Sequence, residues 1–252
     1  MSQTRLDRLA VLIDADNASA RIADGLFAEI AKLGEASVRR IYGDFSGTRS
    51  RAWVDCLARH AIIPHQQFAY TIGKNASDIT LVIDAMDLLH SGRFDGFCLV
   101  SSDSDFTRLA QRIREQGVDV FGFGEQKTPE SFRQACRRFI YTENLLPETP
   151  ASRSASSQAA GAGAKEVPTT SSKRPLKEAQ DLVRLVIAEI ETDEAEGWVP
   201  LGLVGQRVAN FASDFDPRTY GFAKLSDLVA NLKGLEMKKG PSGQLRVRIE
   251  TK

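Results

Sequence analysis

Two apolar runs, Leu9-Ala10-Val11-Leu12-Ile13 and Phe97-Cys98-Leu99-Val100, each lead into a pair of aspartates one residue apart, Asp14/Asp16 and Asp103/Asp105. An unbroken apolar run of this length fits a strand buried on both faces. Helical spacing follows each pair: Ile22, Leu26, Phe27, Ile30 and Leu33 up to Gly34, then Phe106, Leu109 and Ile113 up to Gly117. The same succession recurs between and after them. Ser37 to Phe45 reads as a strand, Asp44 to Arg49 as a polar loop, and Trp53, Leu57 and Ala58 mark a helix. Ala61 to Tyr70 is a third extended segment, Thr71 to Asp78 a loop, and Ile79 to Leu89 an apolar helix for which Ser77 is the expected cap. Val118 to Gly122 and Phe139 to Tyr141 follow as strands, the last after a helix beginning near Pro129. Alternation of this kind predicts βαβ units: an α/β fold with a parallel sheet between helical layers.

At 252 residues, 42% hydrophobic and 26% charged, the chain can build one good core and a second small one. Its formal net charge is zero, so binding of a polyanion must come from local clusters. Cys56, Cys98 and Cys136 include no CxxC pair and are odd in number, which argues against a disulfide framework or a zinc site and for buried thiols in a reducing cytoplasm. The first apolar run is cut by Asp14 and Asp16, too short for a signal peptide, and no run approaches the roughly 20 residues of a membrane span. The expectation is a cytoplasmic protein without a membrane partner; a homo-oligomer is neither required nor excluded by the sequence.

From Pro147 to Pro175 the chain is dominated by Ala, Ser, Gly, Thr and Pro, the composition of a flexible linker. This divides the chain into 1–146, a linker over 147–175, and 176–252. The last part reads as an amphipathic helix over Leu176 to Ile190 and an acidic turn from Glu191 to Glu196. After Trp198-Val199-Pro200-Leu201 come two further helices, with Leu203, Val204 and Val208, then Leu225, Leu228, Val229 and Leu232. An alternating hairpin around Lys239-Gly240-Pro241-Ser242-Gly243 closes it. Three helices and a hairpin make a winged-helix module. From Trp198 to the end there are nine Lys/Arg against five Asp/Glu, and a wing bearing Lys238, Lys239, Arg246 and Arg248 suits phosphate contacts, with a merely solvated surface as the plain alternative.

If the first and fourth strands are neighbours, Asp14, Asp16, Asp103 and Asp105 converge on one rim, and Asp78 joins them from the start of the third helix. Crowded carboxylates repel, and Mg²⁺ or Mn²⁺ is the usual resolution; one or two such ions can activate water in phosphodiester cleavage. Taken singly, Asp16, Asp78 or Asp105 reads equally as a helix cap. Asp84 and Asp87 are assigned to the solvated face of the third helix, and His60, His65 and His90 to ordinary surface or half-buried roles. Phe45, Tyr70, Phe106 and Tyr220 could stack on bases, although core packing accounts for most of them. There is no GxSxG, P-loop or GxGxxG element.

The stretches Val11-Leu12-Ile13-Asp14-Ala15-Asp16-Asn17, Lys74-Asn75-Ala76-Ser77-Asp78 through Asp84, Leu99-Val100-Ser101-Ser102-Asp103-Ser104-Asp105-Phe106 and Gly117-Val118-Asp119-Val120-Phe121-Gly122-Phe123-Gly124 resemble the ordered motifs of NYN domains, the LabA-like branch of PIN-type ribonucleases. The resemblance spans about residues 6 to 146. Trp198-Val199-Pro200-Leu201 and Asp216-Pro217-Arg218-Thr219-Tyr220-Gly221-Phe222-Ala223-Lys224-Leu225 are similar to the LOTUS or OST-HTH domain, a winged-helix RNA-binding unit often joined to NYN domains. The pairing implies a PIN-like, Rossmann-like sheet followed by a small RNA-binding module. It further implies that Asp14, Asp78, Asp103 and Asp105 are the catalytic metal-site acids, that Asn17 is a supporting ligand or substrate contact, and that Lys74 is a phosphate contact. The role of Asp16 stays open. Lys238, Lys239 and Arg246 are the expected RNA contacts of the wing.

The leading expectation is a metal-dependent ribonuclease in which a tethered module, free to move on its linker, captures RNA. One alternative is a non-catalytic RNA-binding adaptor that keeps the acidic rim. Another is an aspartate-nucleophile phosphatase of the haloacid-dehalogenase type, suggested by Asp14-Ala15-Asp16. The latter usually continues with a glycine and a threonine where this chain has Asn17 and Ala18.

Overall fold

The computed structural model describes residues 7–46, 51–67, 76–146, 173–190, 197–240 and 243–250. Six strands, β1 (Arg8–Asp14), β2 (Glu35–Gly43), β3 (Ile63–Gln66), β4 (Gly96–Val100), β5 (Asp119–Gly124) and β6 (Arg138–Tyr141), form one sheet in the order β3-β2-β1-β4-β5-β6. Every pairing in it is parallel. Between the strands run α1 (Ala23–Ile30), α2 (Arg51–His60), α3 (Ala76–His90), α4 (Thr107–Glu115) and α5 (Glu130–Ala135). β1 and β4 are neighbours, and the strand order turns back between them. That reversal is the crevice in which open α/β sheets bind ligands.

The unbroken apolar runs arise because each central strand is covered twice. Along β1, Ala10 and Leu12 face a core shared with Tyr42, Leu81, Ala85, Phe97, Leu99 and Phe106, whereas Leu9, Val11 and Ile13 face a second core with Leu26, Ile30, Trp53, Cys98 and Val100. The period of two puts Asp14 on the face of Ala10 and Leu12, the side on which α3 packs. Side chains of Val, Leu, Ile and Phe size buried this fully contribute about 1.5–3 kcal/mol each, so strand register is strongly held.

The edge strand β3 is shorter than the segment Ala61 to Tyr70 expected from sequence: Ile63 and Pro64 on it are exposed, and 68–70 lie outside the described residues. α3 begins before Ser77, so Ser77 sits within the first turn rather than capping it. The three cysteines are buried thiols, and burial pushes Cys98 well up and Cys136 to about 12.

The C-terminal unit contains α6 (Leu176–Glu189), β7 (Val199–Pro200), α7 (Leu201–Phe211), α8 (Leu225–Ala230), β8 (Leu235–Lys239) and β9 (Leu245–Ile249). β8 and β9 form the expected antiparallel hairpin, and β7 adds to the other edge of β9. Val183, Val186, Val204, Val208, Leu228 and Val247 make its core. A 3₁₀ turn over Pro217–Tyr220 ends at Gly221, whose φ of 89° is left-handed and favours a residue without Cβ. Residues 147–172 of the linker and the acidic turn 191–196 lie outside the described residues.

Candidate acidic site and C-terminal wing

Asp14 ends β1 with only 1% of its surface exposed. One carboxylate oxygen accepts the backbone N–H groups of Asp16 (3.0 Å) and Asn17 (3.3 Å); the other accepts the Asn17 side-chain amide (2.8 Å) and the Ser101 hydroxyl (2.7 Å). A carboxylate offers about four acceptor positions, and here all four are used. Burial pushes the Asp14 carboxyl up, against the pull of Ser101 and Asn17.

Ser101 couples the ends of β1 and β4. While donating to Asp14 it accepts the backbone N–H of Asp103 at 3.1 Å. Asp103 caps the 3₁₀ turn Ser104–Phe106 and accepts the N–H of Asp105 at 2.9 Å. The caps of the turns that follow β1 and β4 are therefore Ser19, which accepts the N–H of Arg21, and Asp103, rather than Asp16 or Asp105. Gly124, at the end of β5, lies so near this point that a Cβ on it would come within 2.7 Å of the Ser101 carbonyl oxygen.

Asp78 enters from the first turn of α3. Burial and then the charges of Asp14, Asp103, Asp16 and Asp105 push its carboxyl from the ordinary 3.8 up to about 6. Five aspartates, from the end of β1 and the turn after it, from α3 and from the turn after β4, thus share one electrostatic neighbourhood. Asp16 is exposed, and its carboxylate accepts the Ser77 hydroxyl at 3.2 Å. Among the described residues, no three His, Cys, Asp or Glu side chains are arranged as a ready-made metal site. The donor set is all oxygen, which fits a hard divalent cation such as Mg²⁺ or Mn²⁺. Lys74 lies outside the described residues.

A second polar group adjoins this rim and corrects one expectation. Asp84 is not on a solvated face: Arg40 and the Tyr42 hydroxyl both donate to its carboxylate, and its side chain is 18% exposed. Asp87, in contrast, is exposed. Tyr42 is the register partner of Asp14, and His65, the register partner of Tyr42, lies with its ring 4.9 Å from the tyrosine ring. Burial pushes the Tyr42 hydroxyl up and the His65 ring down. Burial opposes ionisation of Asp84, and the bonds from Arg40 and Tyr42 overcome it, holding the carboxyl below its ordinary value. The ion pair pins α3 to β2 and so fixes where Asp78 stands.

On the wing, Lys238 and Arg246 are cross-strand partners, with Lys239 next along β8. The Trp198 ring lies 4.1 Å from the Lys238 ammonium and 4.6 Å from the Arg248 guanidinium, and Arg248 also pairs with Glu236 at 2.7 Å. These cation–π contacts tie the basic hairpin to the segment entering α7.

The family description "NYN domain" matches residues 8–146, just over half of the chain. The chain belongs to the NYN domain family. A second match, to the OST-HTH/LOTUS domain, covers residues 171–247. NYN domains are PIN-like nuclease domains and LOTUS domains bind RNA, so the six-stranded parallel sheet is the NYN unit and the winged-helix module the LOTUS unit. A crystal structure of a protein of unknown function from Vibrio parahaemolyticus is similar at 17% identity and a TM-score of 0.50, over 58% of this chain and 99% of that one. At this identity the likeness concerns the fold alone. A solution structure of an uncharacterized protein from Nitrosomonas europaea is 27% identical over 38% of this chain and 91% of its own, with a TM-score of 0.27. No curated protein matches. No helix among the described residues is long and apolar enough to cross a membrane.

Proposed function

We propose that this NYN–LOTUS chain is a metal-dependent ribonuclease that hydrolyses RNA phosphodiester bonds at the acidic rim, with the LOTUS wing holding the RNA. The observation that carries this reading is the crowding around Asp78, whose carboxyl is pushed up to about 6 by burial and four neighbouring aspartates. Such crowding is costly in a protein that has no cation to place there. Asp78, Asp103 and Asp105 would hold Mg²⁺ or Mn²⁺, with Asp14 behind them. When bound, the ion would supply a water of lowered pKa and a positive charge for the leaving oxygen.

The chain's own residues do the remaining work. Ser101 and Asn17 hold the Asp14 carboxylate in one orientation. Because the Asn17 amide nitrogen donates to Asp14, its oxygen stays available to accept a hydrogen bond from substrate or water. The pair Arg40–Asp84 keeps α3 seated, and Lys238, Lys239 and Arg246 on the hairpin provide phosphate contacts. Lys74 retains its proposed role as a phosphate contact.

The match to the OST-HTH/LOTUS domain supports a second reading, an RNA-binding adaptor that keeps the rim without cutting. The phosphatase reading is disfavoured: a nucleophilic Asp14 would have to attack with a carboxylate that is buried and already accepts four hydrogen bonds. Incubating the purified chain with a mixed pool of labelled RNAs in Mg²⁺, in Mn²⁺ and in EDTA separates the readings. Metal-dependent shortening of the pool supports the nuclease; RNA that is bound yet stays intact in all three buffers supports the adaptor.

A further inference from the structure

The segment 212–220, between α7 and α8, lies against the NYN unit along β6, α5 and the end of α1. β6 is the open edge of the sheet, and its Phe139 N–H donates to the carbonyl of Ser213 at 2.7 Å. The Ser213 hydroxyl donates to the carbonyl of Arg133 on α5 at 2.7 Å. The Asp214 carboxylate, 6% exposed, accepts from Tyr141 and Arg133 of the NYN unit and from Arg174 at 3.1 Å. Burial alone would raise this carboxyl, yet Tyr141, Arg133 and Arg174 hold it below its ordinary value. A little further on, Arg218 makes paired contacts to Glu29 at 3.0 and 3.2 Å while also holding Asp216. Asn144 donates to the Thr219 hydroxyl at 3.0 Å.

Glu29, Asp214, Asp216 and Thr219 are all buried, and charged groups are buried only where partners compensate them. For Glu29, Arg133 and Asp214 the compensation comes in large part from the other unit. The charges also alternate. The NYN unit presents a cation to Asp214 and an anion to Arg218, so a module turned end for end would set Asp214 against Glu29 and Arg218 against Arg133. Like-charge juxtaposition of that kind selects one orientation. The backbone bond from Phe139 pairs one of the groups that the edge of β6 would otherwise leave open.

We infer that β6, α5 and the end of α1 form a docking surface whose partner is the chain's own LOTUS unit, with 212–220 as a clamp that makes the two units one body in solution. The linker then connects units already held together, in place of the free movement expected from its composition. With the ribonuclease reading as its premise, the clamp has a consequence for the reaction: RNA held by the wing meets the rim from one direction, and products fall in a narrow range of lengths.

The test uses the full chain labelled with ¹⁵N. Relaxation of backbone amides in β1 and β4 is compared with that in α6 and α7. Docking predicts one shared rotational correlation time in the wild type. It predicts two distinct times in Asp214→Lys, which sets a cation against Arg133 and Arg174, and in Arg133→Glu, made from the other side so that the module's own sequence is untouched. Dispersed amide spectra for both units verify that each variant remains folded. Different correlation times in the wild type, or one shared time surviving in both folded variants, would overturn the clamp. On labelled RNA, a narrow product range that broadens in Asp214→Lys supports directed presentation, and an equally broad range in both refutes it. A wild type that cuts no RNA would count against the ribonuclease reading, and the relaxation comparison would still decide the clamp.

Discussion

Replacing Asp78 by Asn should stabilise the metal-free protein. In the folded chain the Asp78 carboxyl lies at about 6 against an ordinary 3.8, because burial and the charges of Asp14, Asp103, Asp16 and Asp105 all favour its neutral form. A raised folded value means that the favourable protonated state is fully present below 3.8 and is lost as pH rises through about 6. Above that point the carboxylate is a cost. A rise of this size corresponds to about 3 kcal/mol. Asp78 is only partly buried, and solvent screening reduces the figure to about 1 kcal/mol. Asn keeps the shape and removes the charge, so in EDTA at pH 7.5 the variant should unfold at a urea midpoint about 0.4 M above wild type, for a slope of about 2.5 kcal/mol per molar. The advantage should shrink as pH falls from 6 towards 4. Saturating Mn²⁺ should reverse the order, since the ion stabilises whichever protein binds it better. Equal midpoints in EDTA, or equal Mn²⁺ stabilisation of both proteins, would refute the idea that these carboxylates are crowded around a cation's place.

Ser101→Ala removes a donor from the buried Asp14 carboxylate and should cost about 1–3 kcal/mol in urea unfolding, whereas Ser104→Ala, at an exposed position, should stay within about 0.5 kcal/mol of wild type. Asp84→Asn leaves Arg40 without its carboxylate and should cost about 2 kcal/mol, less than for a fully buried pair, while Asp87→Asn should stay within about 0.5 kcal/mol of wild type. Neutralising Lys238, Lys239 and Arg246 together should flatten the slope of log affinity for single-stranded RNA against log salt by about 2, and an unchanged slope would move RNA binding off the wing.

The parts legible in the sequence are those with a local physical signature. β1 and β4 announce themselves because burial on both faces leaves no polar position between Leu9 and Ile13 or between Phe97 and Val100. The acids then stand out as the first charges after those runs, and the parallel order that gathers them follows from βαβ alternation. β3 is shorter than its sequence suggests because an edge strand keeps Ile63 and Pro64 in solvent and so has no sharp apolar boundary. Asp84 differs from its sequence pattern for another reason. Helical spacing places it between apolar positions, but nothing local tells that Arg40 and Tyr42 will reach it from a different strand. Ser101 carried a weak signal, a hydroxyl at the end of a buried strand just before Asp103. The contacts of Asp214 and Arg218 carried none, since Asp, Pro and Arg in that segment read equally well as a solvated turn.

The central claim is that the aspartate rim cuts RNA with a divalent cation, and it is tested most directly by pairing wild type with Asp103→Asn, which contaminating ribonucleases cannot imitate. Both proteins, purified identically and matched for RNA binding, are given the same labelled RNA pool with Mn²⁺, with Mg²⁺ and with EDTA. The account predicts cleavage by wild type in one or both metals, none in EDTA, and a loss of at least about 100-fold in Asp103→Asn, the order expected when a group holding the reaction's charge is removed. Equal cleavage by the two proteins, or cleavage that persists in EDTA, would contradict it.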